Sequence, residues 1–502
     1  METRTSSKKL YDYQQRDIES IFEHISSSPA SAKLVYQLPT GGGKTVVFSE
    51  IAKRYIEQFG KSVAVLTHRK ELCRQTSATL KSLGVKNKII SSETSDFKID
   101  CGCYVAMVET LRNRIRSKKI DTGDVGLVII DEAHHNSFRK LLENFKNAIV
   151  IGVTATPLSS DITKPMKRHY KSLITGESIA QLIDSGFLAA PQSFAYEVEL
   201  NSLKTGIHGD YTVSSSNELY SSPAMLGLLV KAYREHADGK KTLIFNNGID
   251  TSMKVRDTFE TEGIPIKHLD NRTPDCERKE ILQWFKKTKS AVLTSVSILT
   301  TGFDEPTIQA VILNRATTSI TLYHQMVGRG ARRLPSKKTF SIIDLGNNIQ
   351  RFGRWEEPVD WNFVFENPAK FAEQVHFNAG GSTNFSHGVP SEIRAQFPNT
   401  LEMAFDIESH YQEAIDQEKK PKTVIRESIR QHALMCLENS DSPSAALTLA
   451  QALRPEIEWR VKEYVRCLDR ASKSYKEWLI EDYCETLRGM IKKLYARMNA
   501  AA

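Results

Sequence analysis

The sequence predicts an α/β protein in which two consecutive domains, each built on a parallel sheet, precede a mainly helical C-terminal domain. Three observations carry this. Short, nearly uniformly apolar runs, typical of strands covered on both faces, alternate with helical stretches between residues 33 and 345. A triple-glycine turn follows the first run and opens a helix. Late in the chain, apolar residues recur at three-to-four spacing instead.

In chain order, residues 33–38 read as a buried strand that Pro39 ends, because proline cannot donate to a sheet ladder. Residues 44–59 form a helix stopped by Gly60. Strands follow at 63–66, 104–108, 125–130 and 148–153, and residues 186–191 form the exit from the first domain, placed at 1–195. The second domain, 196–369, takes strands at 242–246, 291–296, 310–314 and 339–345. The Gly-, Ser-, Thr- and Asn-rich stretch 205–222 reads as an irregular connection or a mobile insertion. In the third domain, 370–502, Ser442 and Pro443 read as a helix cap and first turn. From Glu456 onwards the apolar residues Val461, Val465, Leu468, Tyr475, Leu479, Tyr483, Leu487, Ile491, Leu494 and Met498 predict a long amphipathic helix or a broken pair. Such a face packs against other helices or meets a protein partner. Trp459, Tyr464, Trp478 and Tyr495 are either core or base-stacking groups.

Composition narrows the class. Of 502 residues, 40% are hydrophobic and 25% charged, ordinary for a globular protein. The net charge is +8; residues 370–502 hold 18 basic and 19 acidic groups, so the excess of +9 lies in 1–369. A basic surface of that kind suits a polyanionic partner. No run of about 18 apolar residues predicts a membrane span, and residues 1–10 lack the apolar core of a secretory signal. Seven scattered cysteines suit reduced thiols in the cytoplasm, and Cys101-Gly102-Cys103 is too closely spaced for a zinc pair.

Two motifs carry chemistry. In Gln37-Leu-Pro-Thr-Gly-Gly-Gly-Lys-Thr45, the amides of Gly41, Gly42 and Gly43 can turn towards an anion at a helix N-terminus. Lys44 would then reach the terminal phosphates of a nucleotide and Thr45 would ligate Mg2+. The general pattern asks for a further glycine where this chain has Leu38. The strand at 125–130 delivers Asp131 and Glu132 at its carboxyl end, where open α/β sheets place ligands. Asp131 would hold the metal, and Glu132 would deprotonate an attacking water. A flexible glycine turn and a solvated strand end are the plain alternatives. Together the motifs point to a nucleoside triphosphatase that uses Mg2+.

Further segments follow in order: Thr154-Ala155-Thr156, Leu299-Thr-Thr-Gly-Phe-Asp-Glu-Pro306 and Gln325-Met-Val-Gly-Arg-Gly-Ala-Arg-Arg333. Over roughly residues 10–350 this series resembles superfamily 2 helicases and translocases of the DEAH-box type, whose domains are RecA-like. The resemblance implies adenine recognition by Gln14, nucleotide contacts from Gly302 and Asp304, and coupling of hydrolysis to domain movement through His134, Thr154 and Thr156. It also implies that Gln325, Arg329 and Arg332 complete the site from across the cleft, where a guanidinium stabilises charge building on the γ-phosphate. Arg69, Thr110, Asn246 and Thr301 match contacts to a nucleic-acid strand; for each, a helix cap or salt bridge is the alternative. Residues 344–361 resemble bacterial RadD-type repair helicases or a phage-encoded helicase of related design, although Cys436, Cys467 and Cys484 lie singly within expected helices and do not form the RadD group's zinc module. The implied function is an ATP-dependent DNA helicase or translocase acting on branched DNA. An RNA helicase, or a non-unwinding ATPase subunit of a nuclease or defence complex, are the alternatives.

Overall fold

The computed structural model describes residues 10–27, 32–91, 94, 102–117, 120, 122–161, 164–204, 206, 210–296, 299, 303–378, 396–400, 405, 407–416, 420–468 and 472–501. The chain divides into two compact units, 1–375 and 376–502.

The first unit holds two parallel sheets. One contains β1 (Lys33–Gln37), β2 (Ser62–Thr67), β3 (Asn87–Ile90), β4 (Cys103–Met107), β5 (Val125–Asp131), β6 (Ile149–Thr154) and β7 (Ser172–Thr175), in the order β3-β4-β2-β5-β6-β1-β7. The other contains β8 (Ala190–Ala195), β9 (Thr242–Asn246), β10 (Ile266–Leu269), β11 (Val292–Ser295), β12 (Ala310–Asn314) and β13 (Thr339–Asp344), in the order β10-β11-β9-β12-β13-β8. The apolar runs form the central strands because both faces are covered. In β5, Leu127 and Ile129 join one core cluster while Val128 and Ile130 join another, and in β9, Leu243 and Phe245 alternate in the same way with Ile244.

Two expectations need correction. The strand at 190–195, assigned above to the first domain, lies in the second sheet, with Ala190 opposite Thr339 and Ala195 opposite Asp344. Its partner is far along the chain, so only the assembled ladder fixes its sheet. Within 205–222, an irregular connection by composition, the helix Val213–Tyr220 forms; the Thr212 hydroxyl caps it by accepting from the Ser215 amide. Asp210, just before it, accepts from the Thr318 amide (2.9 Å), the Thr317 hydroxyl (3.0 Å) and Arg315 (3.2 Å). The segment is thereby tied to the loop after β12. Beyond β13, Phe365 of the helix Trp361–Glu366 joins the apolar cluster on one face of the first sheet.

The second unit is helical: Ile407–Asp416, Lys422–Glu438, Pro443–Ala452, Arg454–Cys467 and Lys473–Ala501. Ser442 caps the third of these through the Ala445 amide, with Pro443 in its first turn. The forty-residue amphipathic pattern is a broken pair, and its apolar face forms the unit's own core. Tyr464 and Tyr495 are buried there, whereas Trp478 is half-exposed. Cys436, Cys467 and Cys484 are free thiols within helices. Among the described residues, no helix is long and apolar enough to cross a membrane, and no cluster of three or more His, Cys, Asp or Glu side chains is placed to hold a metal.

Candidate active site

The adjacency of β5, β6 and β1 sets three loops side by side at the carboxyl edge of the first sheet. After β1, Gly41 and Gly43 take φ values of 95° and 86°, a region that a side chain would strain, and the helix Lys44–Phe59 begins directly behind them. A Cβ on Gly43 would lie 2.6 Å from the Gln14 amide nitrogen. Lys44 points back to the Leu38 carbonyl (3.3 Å). Burial lowers its pKa, and the carboxylates of Glu132 and Asp131 oppose that shift. Thr45 stands beside it, partly exposed.

After β5, Asp131 is buried, and burial raises its pKa to about 7; the Glu132 charge adds to the rise and Lys44 opposes it. Glu132 has a φ of 54°, a conformation uncommon outside glycine, and its amide donates to the Asp131 carboxylate (3.1 Å). The Glu132 Oε2 is buried and accepts no hydrogen bond among the described residues. It lies 3.4 Å from the His134 Nδ1. After β6, the Thr154 hydroxyl contacts the same Nδ1 (2.9 Å) and donates to the Thr156 carbonyl (3.0 Å). A hydroxyl has one proton to give, so where it goes to the Thr156 carbonyl the His134 Nδ1 is the donor. Burial holds the pKa of His134 well below its ordinary value, so the ring is neutral.

The second lobe closes the site. The helix Ile320–Val327 carries buried Gln325 and leads into the turn that bears Arg329 and Arg332. Arg332 donates to the Gly41 carbonyl of the glycine loop (3.3 Å) and pairs with Asp304 (3.0 Å). Arg329 is half-buried and donates to the Phe303 carbonyl; desolvation lowers its pKa to about 10, opposed by Glu132. Lys44, Asp131, Glu132, Arg329, Arg332, Gly41, Gly43 and Thr45 therefore gather at one cleft.

Other expected residues stand elsewhere or are otherwise engaged. The Gln14 amide, expected to make two bonds to a base edge, donates to the Gly42 carbonyl (3.3 Å) and accepts from the Tyr11 amide (3.1 Å). Asn246 is fully buried between strands, bonded to Thr294 (2.8 Å) and Asn314 (2.8 Å), so it cannot touch a strand of nucleic acid. The end of a strand looks the same in sequence whether its last side chain faces solvent or its neighbours. Arg69 and Thr110 lie just beyond the paired strands β2 and β4, at one sheet edge. Thr301 and Gly302 lie outside the described residues.

Three residues were missed. Thr321 accepts a hydrogen bond from Thr156 across the lobes (2.9 Å). Lys337, buried, donates to the carbonyls of Ile308 (2.7 Å) and Gly330 (2.9 Å), tying the arginine turn to the segment after Asp304. His68 packs at a tilt against His135 (ring centroids 4.5 Å apart) beside Glu132. None belongs to a recognisable spacing.

Residues 7–159 match the family described as type III restriction enzyme, res subunit, and residues 224–333 match the helicase conserved C-terminal domain. The Saccharomyces cerevisiae protein IRC3, which bears the name of an ATP-dependent helicase, is 32% identical over 363 residues, covering 68% of this chain and 52% of that protein. The 51.5 kDa protein of a Lactococcus phage is 31% identical over 336 residues, 66% of this chain and 69% of that one. The chain thus spans about half of the yeast relative and about two thirds of the phage one. Among solved structures, a fragment of an HsdR subunit of a type I restriction enzyme from Vibrio vulnificus YJ016 shares the fold, with a TM-score of 0.56 and 23% identity over 70% of this chain and 68% of that one.

Proposed function

Because the chain belongs to the superfamily 2 helicases, we propose that it is an ATP-driven motor that moves on DNA and remodels branched DNA. The observation that carries this reading is the reach of Arg332 from the second lobe to the Gly41 carbonyl, across a cleft that holds Glu132 with a buried carboxylate oxygen accepting no hydrogen bond among the described residues. Supplying the arginine from a separate lobe makes hydrolysis depend on closure, and closure can be linked to stepping.

The residues fit the implied groups. The left-handed backbone at Gly41 and Gly43, with half-buried Lys44 behind it, suits a triphosphate. Thr45 and Asp131 would hold Mg2+, which supplies charge neutralisation on phosphate oxygens when bound. Glu132 would accept the water's proton. Arg69 and Thr110 would hold phosphate oxygens of a strand without reading its sequence. DNA is favoured over RNA by the likeness to restriction-enzyme subunits, which also favours a second reading: an ATPase subunit serving a nuclease on another chain.

The test is ATP hydrolysis by the purified chain alone, with single-stranded DNA, with forked DNA and with RNA, beside Glu132→Gln. Stimulation greatest with forks supports the remodelling motor. Stimulation by RNA alone would overturn the DNA reading, and no stimulation by any nucleic acid favours the subunit reading. Strand displacement without a partner separates the motor from the subunit.

A further inference from the structure

We propose that Thr321 is the positioning residue through which the second lobe sets the geometry of Glu132, so that its hydroxyl makes hydrolysis sense lobe closure. The inference rests on the reading of Glu132 as the hydrolytic base. It starts from a continuous chain of polar contacts, buried at His134, Thr154 and Thr156. Glu132 Oε2 stands 3.4 Å from His134 Nδ1, which is hydrogen-bonded to the Thr154 hydroxyl at 2.9 Å. That hydroxyl is bracketed by the Thr156 backbone, donating to its carbonyl (3.0 Å) and accepting from its amide (3.2 Å). The Thr156 side chain leaves the first lobe and donates to Thr321 Oγ1 at 2.9 Å. Thr154, Thr156 and His134 are each at most 3% exposed, so water does not compete for the bonds among these three.

Thr321 is the second residue of the helix Ile320–Val327, whose start is fixed by the Ser319 hydroxyl accepting from the Leu322 amide. The same short helix carries Gln325 and opens into the turn of Arg329 and Arg332. An advance of the arginines towards the phosphate loop therefore moves Thr321 with them. The Thr156 backbone brackets the Thr154 hydroxyl, so a shift of that backbone displaces the group that orients His134. The His134 ring lies 3.4 Å from the carboxylate oxygen of Glu132. The relay moves no proton: each group keeps its own, and only orientation passes along it.

The experiment uses the full chain carrying T321V, T321S, T156V and the T156V/T321V double substitution. Valine keeps the branched shape and removes the hydroxyl; serine keeps the hydroxyl. Steady-state ATP hydrolysis is measured with saturating single-stranded DNA, with thermal melting as a check on folding. Loss of one buried hydrogen bond in the transition-state arrangement predicts a kcat lower by roughly 3- to 10-fold for T321V, with KM for ATP within about 2-fold. T321S should restore at least half of the lost rate, and the double variant should be no slower than either single one. Losses in T156V and T321V that multiply, or a T321S as slow as T321V, would overturn the proposal. A KM that rises while kcat holds would do the same. If T321V does not fold, T156V and T321S decide: the first must be slow and the second fast. A wild-type chain that turns over no ATP would overturn the reading of Glu132 itself, and with it this role, which sets that failure apart from the others.

Discussion

Glu132 holds a left-handed backbone conformation at φ 54°, and its buried carboxylate oxygen accepts no hydrogen bond among the described residues. Both features raise the ground-state energy of a folded protein and persist where surrounding structure enforces them. The fixing contacts are its amide bond to Asp131 and the ladder beneath it. Glu132→Gln keeps the shape and removes the basicity. Its expected outcome is ATP binding within a few-fold of wild type and turnover lower by about 10²- to 10⁴-fold; hydrolysis at the normal rate would remove Glu132 as the base. Arg332 bonds the phosphate loop and Asp304 while remaining partly exposed. Arg332→Ala should lower kcat by about 10³-fold with a much smaller change in nucleotide affinity; equal losses in both would mark the arginine as a strut between lobes.

At the scale of elements, the short segment around 206–220 does more than connect. Asp210 neutralises Arg315, which is almost wholly buried at the end of β12, and also caps the loop through Thr317 and Thr318. Asp210→Ala leaves that guanidinium buried with its main partner gone. Breaking a buried pair costs about 3–5 kcal/mol, and the partial exposure of Asp210 reduces this to about 2–3 kcal/mol. Denaturant melts should read that loss, with kcat falling as well, because the loop leads into the helix Ile320–Val327. A variant as stable as wild type would show that the helix Val213–Tyr220 holds the loop without its aspartate.

At the scale of the whole molecule, several histidines are buried and neutral. His134 and His432 are held well below 6.5, and His68 and His324 are lowered to about 4, in each case chiefly by burial. Unfolded, such rings titrate near 6.5. Between these values the unfolded chain binds more protons, so the stability is fully present above about 6.5 and is lost as pH falls towards 4. Asp131, shifted upwards to about 7, offsets part of this in the same window. The expected outcome is a Tm that drops steadily between pH 7 and pH 5; a flat profile would mean that these rings gain access to solvent without unfolding. The division at 375/376 carries a further expectation. A chain ending at Val375 should remain folded and hydrolyse ATP, with any change confined to its nucleic-acid dependence. An insoluble product would show that the helical unit completes the first one.

The residue order alone determined the glycine loop, the carboxylate pair, the two-sheet α/β class and the helical tail, because each rests on local chemistry: uniform burial in 125–130, left-handed turns at Gly41 and Gly43, three-to-four spacing after Glu456. What it could not determine depends on groups far apart in the chain. The strand Ala190–Ala195 changes domain because its partner is β13. Asn246 loses its expected contact because Asn314 and Thr294 arrive beside it. Thr321 and Lys337 acquire roles because tertiary packing brings Thr156 to the one and the carbonyls of Ile308 and Gly330 to the other. A hydroxyl or ammonium has no periodicity to betray its partner, and only the folded chain supplies one.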